Sequence, residues 1–306
     1  MTRVAMSAGF ALVSLFAATV AHADCKLTEL AIFRLDPTSR EPVVYGTING
    51  HSARVLIDTG IAESLVVRSA AADLGVTLSP QPGNGEATPA TTGLIRQLAV
   101  GGLTRTNVQM EVRDAPGAPG GAALILGEDF LSSMDLDFDL AHGVVRLFEA
   151  HDCTPPQLVY WGSPYSQAPL APWSAAAPAA RVEAMVNGQP VLTSLDSGAA
   201  TSSLEAGAAR LLGMQPTADP HVGRFASFAL GDERINDVRL TLTGADARSQ
   251  PASADLSRGA EGAPLMHIGA DFLRAHRVFI DVDNHLVLFS YAGGPVFATG
   301  DALAAR

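Results

Sequence analysis

A short motif that occurs twice constrains this chain more than any other feature. Residues 55–60 read VLIDTG, and the frame returns 138 positions later, where residues 193–198 read TSLDSG. An apolar run ending in Asp-Thr/Ser-Gly predicts a strand that delivers a carboxylate into a tight turn, because glycine lets the backbone bend where a Cβ would clash. One copy alone is ordinary turn chemistry, whereas two copies in one frame indicate a shared site.

The surroundings of the motif recur as well. An Asn-Gly pair, which is typical of a hairpin turn, precedes the two aspartates at the same distance, at 49–50 and at 187–188. Downstream, residues 124–131 (LILGEDFL) are echoed by residues 266–273 (MHIGADFL). The chain is therefore an internal duplication. We predict an N-terminal lobe over 24–152 and a C-terminal lobe over 153–306.

Residues 1–23 have the composition of a secretory signal peptide. A single arginine precedes an apolar run that ends in Ala-His-Ala at 21–23, an A-x-A cleavage pattern. The run is too short to span a bilayer, so we expect no membrane anchor after cleavage and a periplasmic or secreted protein. The alternative is a buried N-terminal helix.

The cysteine count supports export. The chain has 2 cysteines, Cys25 and Cys153, and both lie outside the predicted signal. In an oxidising compartment such a pair predicts a disulfide, here between the mature N-terminus and the junction of the halves. Free structural thiols are the alternative. Neither cysteine has the C-x-x-C spacing of a redox or zinc site.

Charge and motifs exclude several function classes. The formal net charge of −11 argues against nucleic acid or an anionic membrane as partner. Lys26 is the sole lysine, which excludes lysine Schiff-base chemistry. The chain has no G-x-S-x-G elbow, H-E-x-x-H helix or P-loop. We therefore expect no cofactor and no metal.

The apolar periodicity predicts short strands joined by glycine- and proline-rich turns, with brief helices over 68–74 and 204–212. A linker spans about 154–180, and within it 158–161 is a candidate first strand of the second half. The aromatic residues of this linker either line a ligand cleft or cover the edge of a small β domain. The tail from residue 292 is either disordered or an added edge strand.

Several polar residues have a structural interpretation. Asp129 and Asp271 each follow the second repeated glycine at the start of a short helix, so we predict helix caps rather than extra catalytic carboxylates. The aspartates at 135, 137 and 139 alternate with apolar residues, which predicts solvent-facing strand positions and turns. His267 replaces an apolar residue before Gly269, and we expect a buried or edge histidine.

The paired motifs, Asp-Thr/Ser-Gly followed by apolar-apolar-Gly-x-Asp-Phe-Leu, resemble those of the aspartic proteases. More narrowly, they resemble bacterial retropepsin-like aspartyl proteases that carry both halves in one chain. The resemblance implies an all-β acid-protease fold with two pseudo-symmetric, β-barrel-like lobes and short helices. It also implies a cleft between the lobes that takes a peptide or protein substrate in extended conformation, with Asp58 and Asp196 as the catalytic pair.

The family roles carry over residue by residue. Two adjacent carboxylates cannot both ionise cheaply, so they share a proton; one acts as base toward a water and the other donates to the scissile carbonyl. Residues 79–94 and 217–224 would be flaps. The remaining matches support the active-site loops: Thr59 and Ser197 by bonding across the lobe junction, Gly60 and Gly198 by allowing tight turns, and Gly127 and Gly269 by ending strands that pass behind the loops.

The sequence departs from the family at Ile61, where the family has Ala or Ser, as at Ala199. Isoleucine is bulky and cannot donate a side-chain hydrogen bond, and the predicted flaps contain no tyrosine. Two alternatives to a monomeric endopeptidase therefore stand. One is a non-catalytic module that holds extended peptide as an added strand. The other is a homodimer in which each lobe pairs with its counterpart.

Overall fold

The computed structural model describes residues 24–80, 91–171, 180–244, 256 and 263–297. The predicted signal peptide lies outside these ranges, as do the middle of the predicted flap at 79–94, most of the second half of the linker, and the end of the C-terminal tail. Among the described residues, none of the helices has the length and apolarity needed to cross a bilayer.

The elements of the first half, in chain order, are β1 Lys26–Arg34, β2 Val43–Ile48, β3 His51–Ile57, β4 Leu65–Val67, α1 Arg68–Ala71, β5 Thr77–Pro80, β6 Thr91–Val100, β7 Leu103–Arg113, β8 Leu124–Leu126, α2 Glu128–Leu131, β9 Asp135–Asp139 and β10 Val144–His151. Those of the second half are α3 Pro155–Leu158, β11 Ser166–Pro169, β12 Arg181–Val186, β13 Gln189–Leu195, β14 Ser203–Glu205, α4 Ala206–Leu211, β15 Gln215–Pro216, β16 Val222–Leu230, β17 Glu233–Thr243, β18 Met266–Ile268, α5 Ala270–Ala275, β19 His276–Asp281 and β20 Leu286–Tyr291.

Each half forms a closed barrel. In the first lobe the strands follow the order β2-β3-β8-β4-β7-β6, and β6 pairs back onto β2 to close the ring, with β5 added beside β6. In the second lobe the order β12-β13-β18-β14-β17-β16 closes through β12 and β16, with β15 added. The prediction of an all-β fold with two pseudo-symmetric, barrel-like lobes is confirmed, and so is the internal repeat.

The hairpin turns predicted from Asn-Gly are present in both lobes. Asn49 and Gly50 have positive φ values of 51° and 85°, and Asn187 and Gly188 have values of 51° and 77°. This left-handed pair matches the twist of the flanking strands. The asparagine side chains do more than turn the chain, since the Asn49 amide donates to the carbonyls of Leu74 and Gly75 at the end of the α1 segment.

A third sheet joins the two lobes. Its order is β1-β10-β9-β19-β20-β11, so the β9–β19 pair connects a strand of the first half directly to one of the second. The Cys25–Cys153 disulfide is confirmed and links the start of β1 to the residues just after β10. The halves are therefore tied at the base by backbone pairing.

The prediction that Asp135, Asp137 and Asp139 face solvent is wrong, because all of β9 is buried between β10 and β19. Asp137 is completely buried and is paired with two arginines, Arg146 at 3.0 Å and Arg277 at 2.7 Å. Burial of a charge is tolerated only with such partners. Asp135 accepts a hydrogen bond from the backbone of the second half, and burial raises its pKa to about 6.

The linker differs from the prediction. Residues 158–161 are not a strand, because Pro155 and Pro156 start the helix α3 and Thr154 and Gln157 form a capping box ahead of it. The first strand after the junction is β11. Trp161 stacks on Arg277, 4.5 Å from its guanidinium carbon, and so covers the shared sheet rather than a ligand cleft.

The described part of the tail, residues 292–297, forms no strand. Phe297 instead packs against Phe228, with ring centroids 5.1 Å apart, and extends the core of the second barrel. The edge-strand alternative is therefore wrong for this segment, and residues 298–306 lie outside the described chain.

Candidate active site

Two equivalent strands deliver the predicted carboxylates. Asp58 follows β3, which runs parallel to β8, and its backbone N–H donates to the Leu126 carbonyl at 2.9 Å. Asp196 follows β13, which runs parallel to β18, and its N–H donates to the Ile268 carbonyl at 2.8 Å. Both aspartates thus leave the end of a central strand and open a loop, which we call the first loop (58–64) and the second loop (196–202).

The two carboxylates meet between the lobes, close enough that the charge of Asp196 raises the pKa of Asp58. Each also lies against the glycine of the opposite loop. A Cβ on Gly60 would stand 2.4 Å from Asp196 Cγ, and one on Gly198 would stand 2.2 Å from Asp58 Oδ2. Glycine is needed at both positions because the opposite carboxylate occupies the space of a side chain.

A reciprocal set of hydrogen bonds locks the loops together across the junction. The Thr59 hydroxyl donates to the Leu195 carbonyl at 2.7 Å, and the Ser197 hydroxyl donates to the Ile57 carbonyl at 2.8 Å. Each hydroxyl oxygen also accepts the backbone N–H of the other residue, at 3.0 Å for Thr59 N–H and 3.2 Å for Ser197 N–H. All of these groups are buried, so water offers no substitute for the bonds.

Behind each loop lies a second repeated network. Gly127 passes under the first loop, where a Cβ would meet the Ile61 carbonyl oxygen at 2.9 Å; Gly269 passes under the second, where a Cβ would meet Thr201 backbone carbon at 2.6 Å. The Ser64 hydroxyl accepts the Gly127 N–H at 2.9 Å, and the Ser202 hydroxyl accepts the Gly269 N–H at 3.0 Å. The strands therefore support the loops from behind.

The predicted helix-capping role is wrong for Asp129, whereas Asp271 Oδ1 does accept one N–H of the first turn of α5, that of Phe272 at 2.8 Å. Asp129 Oδ1 accepts from the Ser64 N–H at 2.8 Å and hydroxyl at 2.6 Å, and Asp271 Oδ1 accepts likewise from Ser202 at 2.9 and 2.6 Å. The N-cap positions are glycines without a side-chain bond. These carboxylates bond the serine that ends each loop, which local sequence pattern could not reveal.

The environment of the dyad, Asp58 and Asp196, favours one bound proton. Burial of Asp58 and the adjacent charge of Asp196 raise the pKa of Asp58 to about 7, although the N–H groups of Gly60 and Gly198 act in the opposite direction. At neutral pH and below, Asp58 therefore holds a proton in a substantial share of molecules.

The comparison with known proteins agrees with this geometry. A family model described as aspartyl protease matches residues 44–130, the stretch from β2 to α2 that carries Asp58. No match to a curated protein was found. The second barrel repeats the same strand order around Asp196. The matched stretch is thus similar to aspartyl proteases, and the two barrels together have the all-β, two-lobe architecture of the acid-protease fold.

In this aspartic-protease fold the predicted flap segments occupy corresponding places. The segment 79–94 includes the end of β5 and the start of β6, and residues 81–90 lie outside the described chain. The segment 217–224 connects β15 to β16 and includes the start of β16, and Thr217 donates its hydroxyl to the carbonyls of Asp219 and Val222. Their closure over a substrate stays a prediction.

Ile61 does not distort the first loop. Its carbonyl accepts the Glu128 N–H at 3.0 Å, as the Ala199 carbonyl accepts the Ala270 N–H at 2.7 Å. Asp58 Oδ1 takes a hydrogen bond from the backbone of Gly60, so no side-chain donor is needed at 61. The Ile61 side chain packs against an apolar cluster of the first lobe.

His267 is the residue at this site that sequence reasoning missed. It is neither buried nor on an edge strand: β18 lies between β13 and β14, and the imidazole Nδ1 is 3.3 Å from Asp196 Oδ2. It is also 2.8 Å from the Ser194 hydroxyl. The sequence signal that could have revealed this contact was the position of His267, two residues before Gly269. That position puts it on the strand beside β13, which leads to Asp196. Within the described residues, no group of three or more His, Cys, Asp and Glu side chains is arranged to hold a metal ion.

Proposed function

We propose that the protein is an aspartic endopeptidase whose dyad hydrolyses peptide bonds with an activated water. The observation that carries the proposal is the meeting of Asp58 and Asp196 between the two loops, each carboxylate against the glycine of the opposite loop, so that two adjacent carboxyl groups compete for one proton. A cleft that only binds peptide requires neither carboxylate.

The asymmetry of the dyad assigns the roles. Asp58 is 7% exposed and its pKa is raised, so it is the protonated member and donates to the carbonyl oxygen of the scissile bond. Asp196 takes a proton from the water, which attacks the carbonyl carbon. In the second step Asp196 passes the proton that it took from water to the leaving amine as the C–N bond breaks, and the hydroxyl group of the intermediate returns a proton to Asp58. The dyad is then back to one shared proton.

The substrate that suits this site is a peptide or protein segment in extended conformation lying between the lobes. One chain supplies both carboxylates, so a monomer is sufficient for the chemistry. The disulfide and the leader-like residues 1–23 support export to the periplasm or the medium. The acidic net charge of −11 is compatible with a protein partner and unfavourable for nucleic acid.

The test is cleavage of a diverse peptide mixture by the mature protein between pH 3 and pH 8, beside the single variants Asp58→Asn and Asp196→Asn. We expect cleavage products from wild type and a loss of about 10³-fold or more in each variant, because each removes one half of the acid–base pair. Retained cleavage in either variant would exclude the dyad mechanism.

A peptide-binding module is the second candidate, and Ile61 favours it because the sequence departs there from the Ala or Ser of the protease pattern. Wild type that is folded and binds peptides from the mixture, yet cleaves none at any pH, would establish this alternative. Circular dichroism and the intact disulfide serve as the controls for folding in that case.

A further inference from the structure

We propose that His267 is a positioning residue for the dyad, which when protonated holds Asp196 in its charged form and so directs the shared proton to Asp58. The inference rests on the proposed function, and it deepens that function by assigning a cause to the asymmetry of the pair. It comes from a contact that the duplicated frame of the sequence does not contain.

The contact is a product of strand register. β13 and β18 are parallel neighbours, with Ser194 directly beside His267. Side chains two residues apart on a strand share a face, so Asp196 and Ser194 stand on the same side as the imidazole. The side chain of His267 is 38% exposed and that of Asp196 is 20% exposed, so both reach the cleft as well as each other.

The geometry constrains the proton. An unprotonated Nδ1 would direct a lone pair at a charged Asp196 oxygen 3.3 Å away, which is repulsive. A proton on Nδ1 makes the contact attractive even in the neutral tautomer, and the full positive charge of the imidazolium makes the attraction stronger. The Ser194 hydroxyl accepts from the protonated nitrogen or donates to the bare one, so it accommodates both states. A charged Asp196 and a protonated His267 therefore stabilise each other.

Other charged groups face the imidazole from neighbouring strands. Arg181 on β12 stands opposite Ser194. On β14, Ser203 is directly opposite His267 and Glu205 is two residues farther along the same face. The Glu205 carboxylate accepts the N–H groups of Gly207 and Ala208 at the start of α4, so it is engaged away from the imidazole. Among the described residues, Asp196 has the carboxylate that contacts His267.

The first lobe has no equivalent contact. The position corresponding to His267 is Ile125, and the one corresponding to Ser194 is Leu56; both belong to a buried apolar cluster. An imidazolium on one side of the dyad and hydrocarbon on the other stabilises charge on Asp196 and not on Asp58. The side chains behind the two loops therefore assign the acid role to Asp58 and the base role to Asp196.

The kinetic test compares wild type with His267→Ile, which copies the first lobe, and His267→Gln, which keeps a polar partner for Ser194 without the charge. We expect the acidic limb of the kcat/KM profile to move up by about one pH unit in both variants, because the charged base loses its stabilising cation. At a pH below the limb this corresponds to about a tenfold loss relative to wild type. On the plateau, kcat should change by less than about threefold.

The control is His285→Asn, which removes an exposed imidazole at the β19–β20 turn and keeps a residue that tolerates the positive φ of 53°. Its pH profile should superimpose on that of wild type. A uniform loss of activity at all pH values in the His267 variants would indicate a merely structural role and overturn the proposal. An unshifted acidic limb would overturn it as well.

A second readout does not depend on activity. The imidazole resonances of wild type and Asp196→Asn are followed by NMR as the pH is changed. We expect the pH response of the His267 resonance to differ between the two proteins, because the variant lacks the carboxylate that lies 3.3 Å from Nδ1, while the His285 resonance is the same in both. Identical His267 titrations would refute the coupling. If the His267 titrations differ but wild type cleaves no peptide, the coupling between His267 and Asp196 stands and the proposed protease activity is rejected.

Discussion

The two lobes share a backbone but differ in the side chains on the barrel face beside the dyad. In the first lobe this face is a buried apolar cluster that includes Val43, Leu56, Leu65, Val67 and Ile125. The corresponding positions of the second lobe, by strand order and register, are Arg181, Ser194, Ser203, Glu205 and His267. The duplication has kept the loops and strands that hold the carboxylates and changed what surrounds them.

The difference shows that the geometry of this site and its electrostatics are set by separate groups of residues. The loops set the geometry, and the side chains behind them set the electrostatics. Contacts made by backbone, glycine and hydroxyl groups are nearly identical in the two loops, as the Thr59 and Ser197 bonds show. The side chains behind each loop can differ between the lobes, since they contact the carboxylate of their own lobe only. A symmetric scaffold can in this way hold two chemically unequal acids.

The largest effect is expected for Gly60→Ala and Gly198→Ala, which test the loop contacts that the two lobes share. Each new methyl group would collide with the carboxylate of the opposite lobe, at 2.4 and 2.2 Å. We expect peptide cleavage to fall by about 100-fold or more in both variants, because a small displacement of the dyad disrupts catalytic alignment. Steady-state kinetics measure the loss. A large effect in one lobe only would break the symmetry of the comparison.

The next prediction concerns the raised pKa of Asp58. It is measured as the dependence of the unfolding free energy on pH. The pKa of Asp58 is raised from 3.8 to about 7 in the folded protein, so the folded state binds the proton more tightly than the unfolded state. Asp58 therefore contributes stability at low pH that is lost as the pH rises from about 4 to about 7. Asp58→Asn lacks this dependence.

Relative to wild type, Asp58→Asn should accordingly gain up to about 4 kcal/mol of unfolding free energy between pH 4 and pH 8. Urea unfolding at pH 4, 6 and 8 measures the change, provided that the slope against urea is the same for both proteins. A difference between the two proteins that stays constant over this range would show that Asp58 has no raised pKa.

A smaller effect is expected at the cross-lobe hydrogen bonds. Thr59→Val and Ser197→Ala each remove a buried hydroxyl and leave a carbonyl and an N–H of the other loop unpaired. We expect each to lower the unfolding free energy by about 2 to 4 kcal/mol. The double variant should lose less than the sum, because the bonds form one network. Additive losses would mean that the loops are held independently.

The smallest effect is expected for Ile61→Ala, which makes the first loop resemble the second at Ala199. The side chain is half-buried against the apolar cluster, so we expect a loss of about 1 to 2 kcal/mol in unfolding free energy. Cleavage should change by less than about threefold, since the donor to Asp58 is the Gly60 backbone. Ala199→Ser is the matched control on the second loop. A large gain in cleavage would show that Ile61 restricts the site.

The features predictable from sequence were those whose partners are close along the chain or repeated. Asn49-Gly50 defined its own hairpin, and the recurrence of Asp-Thr/Ser-Gly identified two equivalent loops. Asp137 was misplaced because alternation with apolar residues is also what a central strand shows when arginines from elsewhere pair its carboxylates. Asp129 and His267 were missed for a similar reason: their partners are 65 and 73 positions away, and only strand register brings them together.

The shared sheet at the base of the lobes determines how the site behaves when the protein is diluted. A site assembled from two separate chains is lost when the protein concentration falls below the dissociation constant of the pair. Here β9 pairs with β19 inside one chain, so the effective concentration of each lobe for the other is fixed by the fold. The meeting of Asp58 and Asp196 is therefore independent of how many copies of the protein are present.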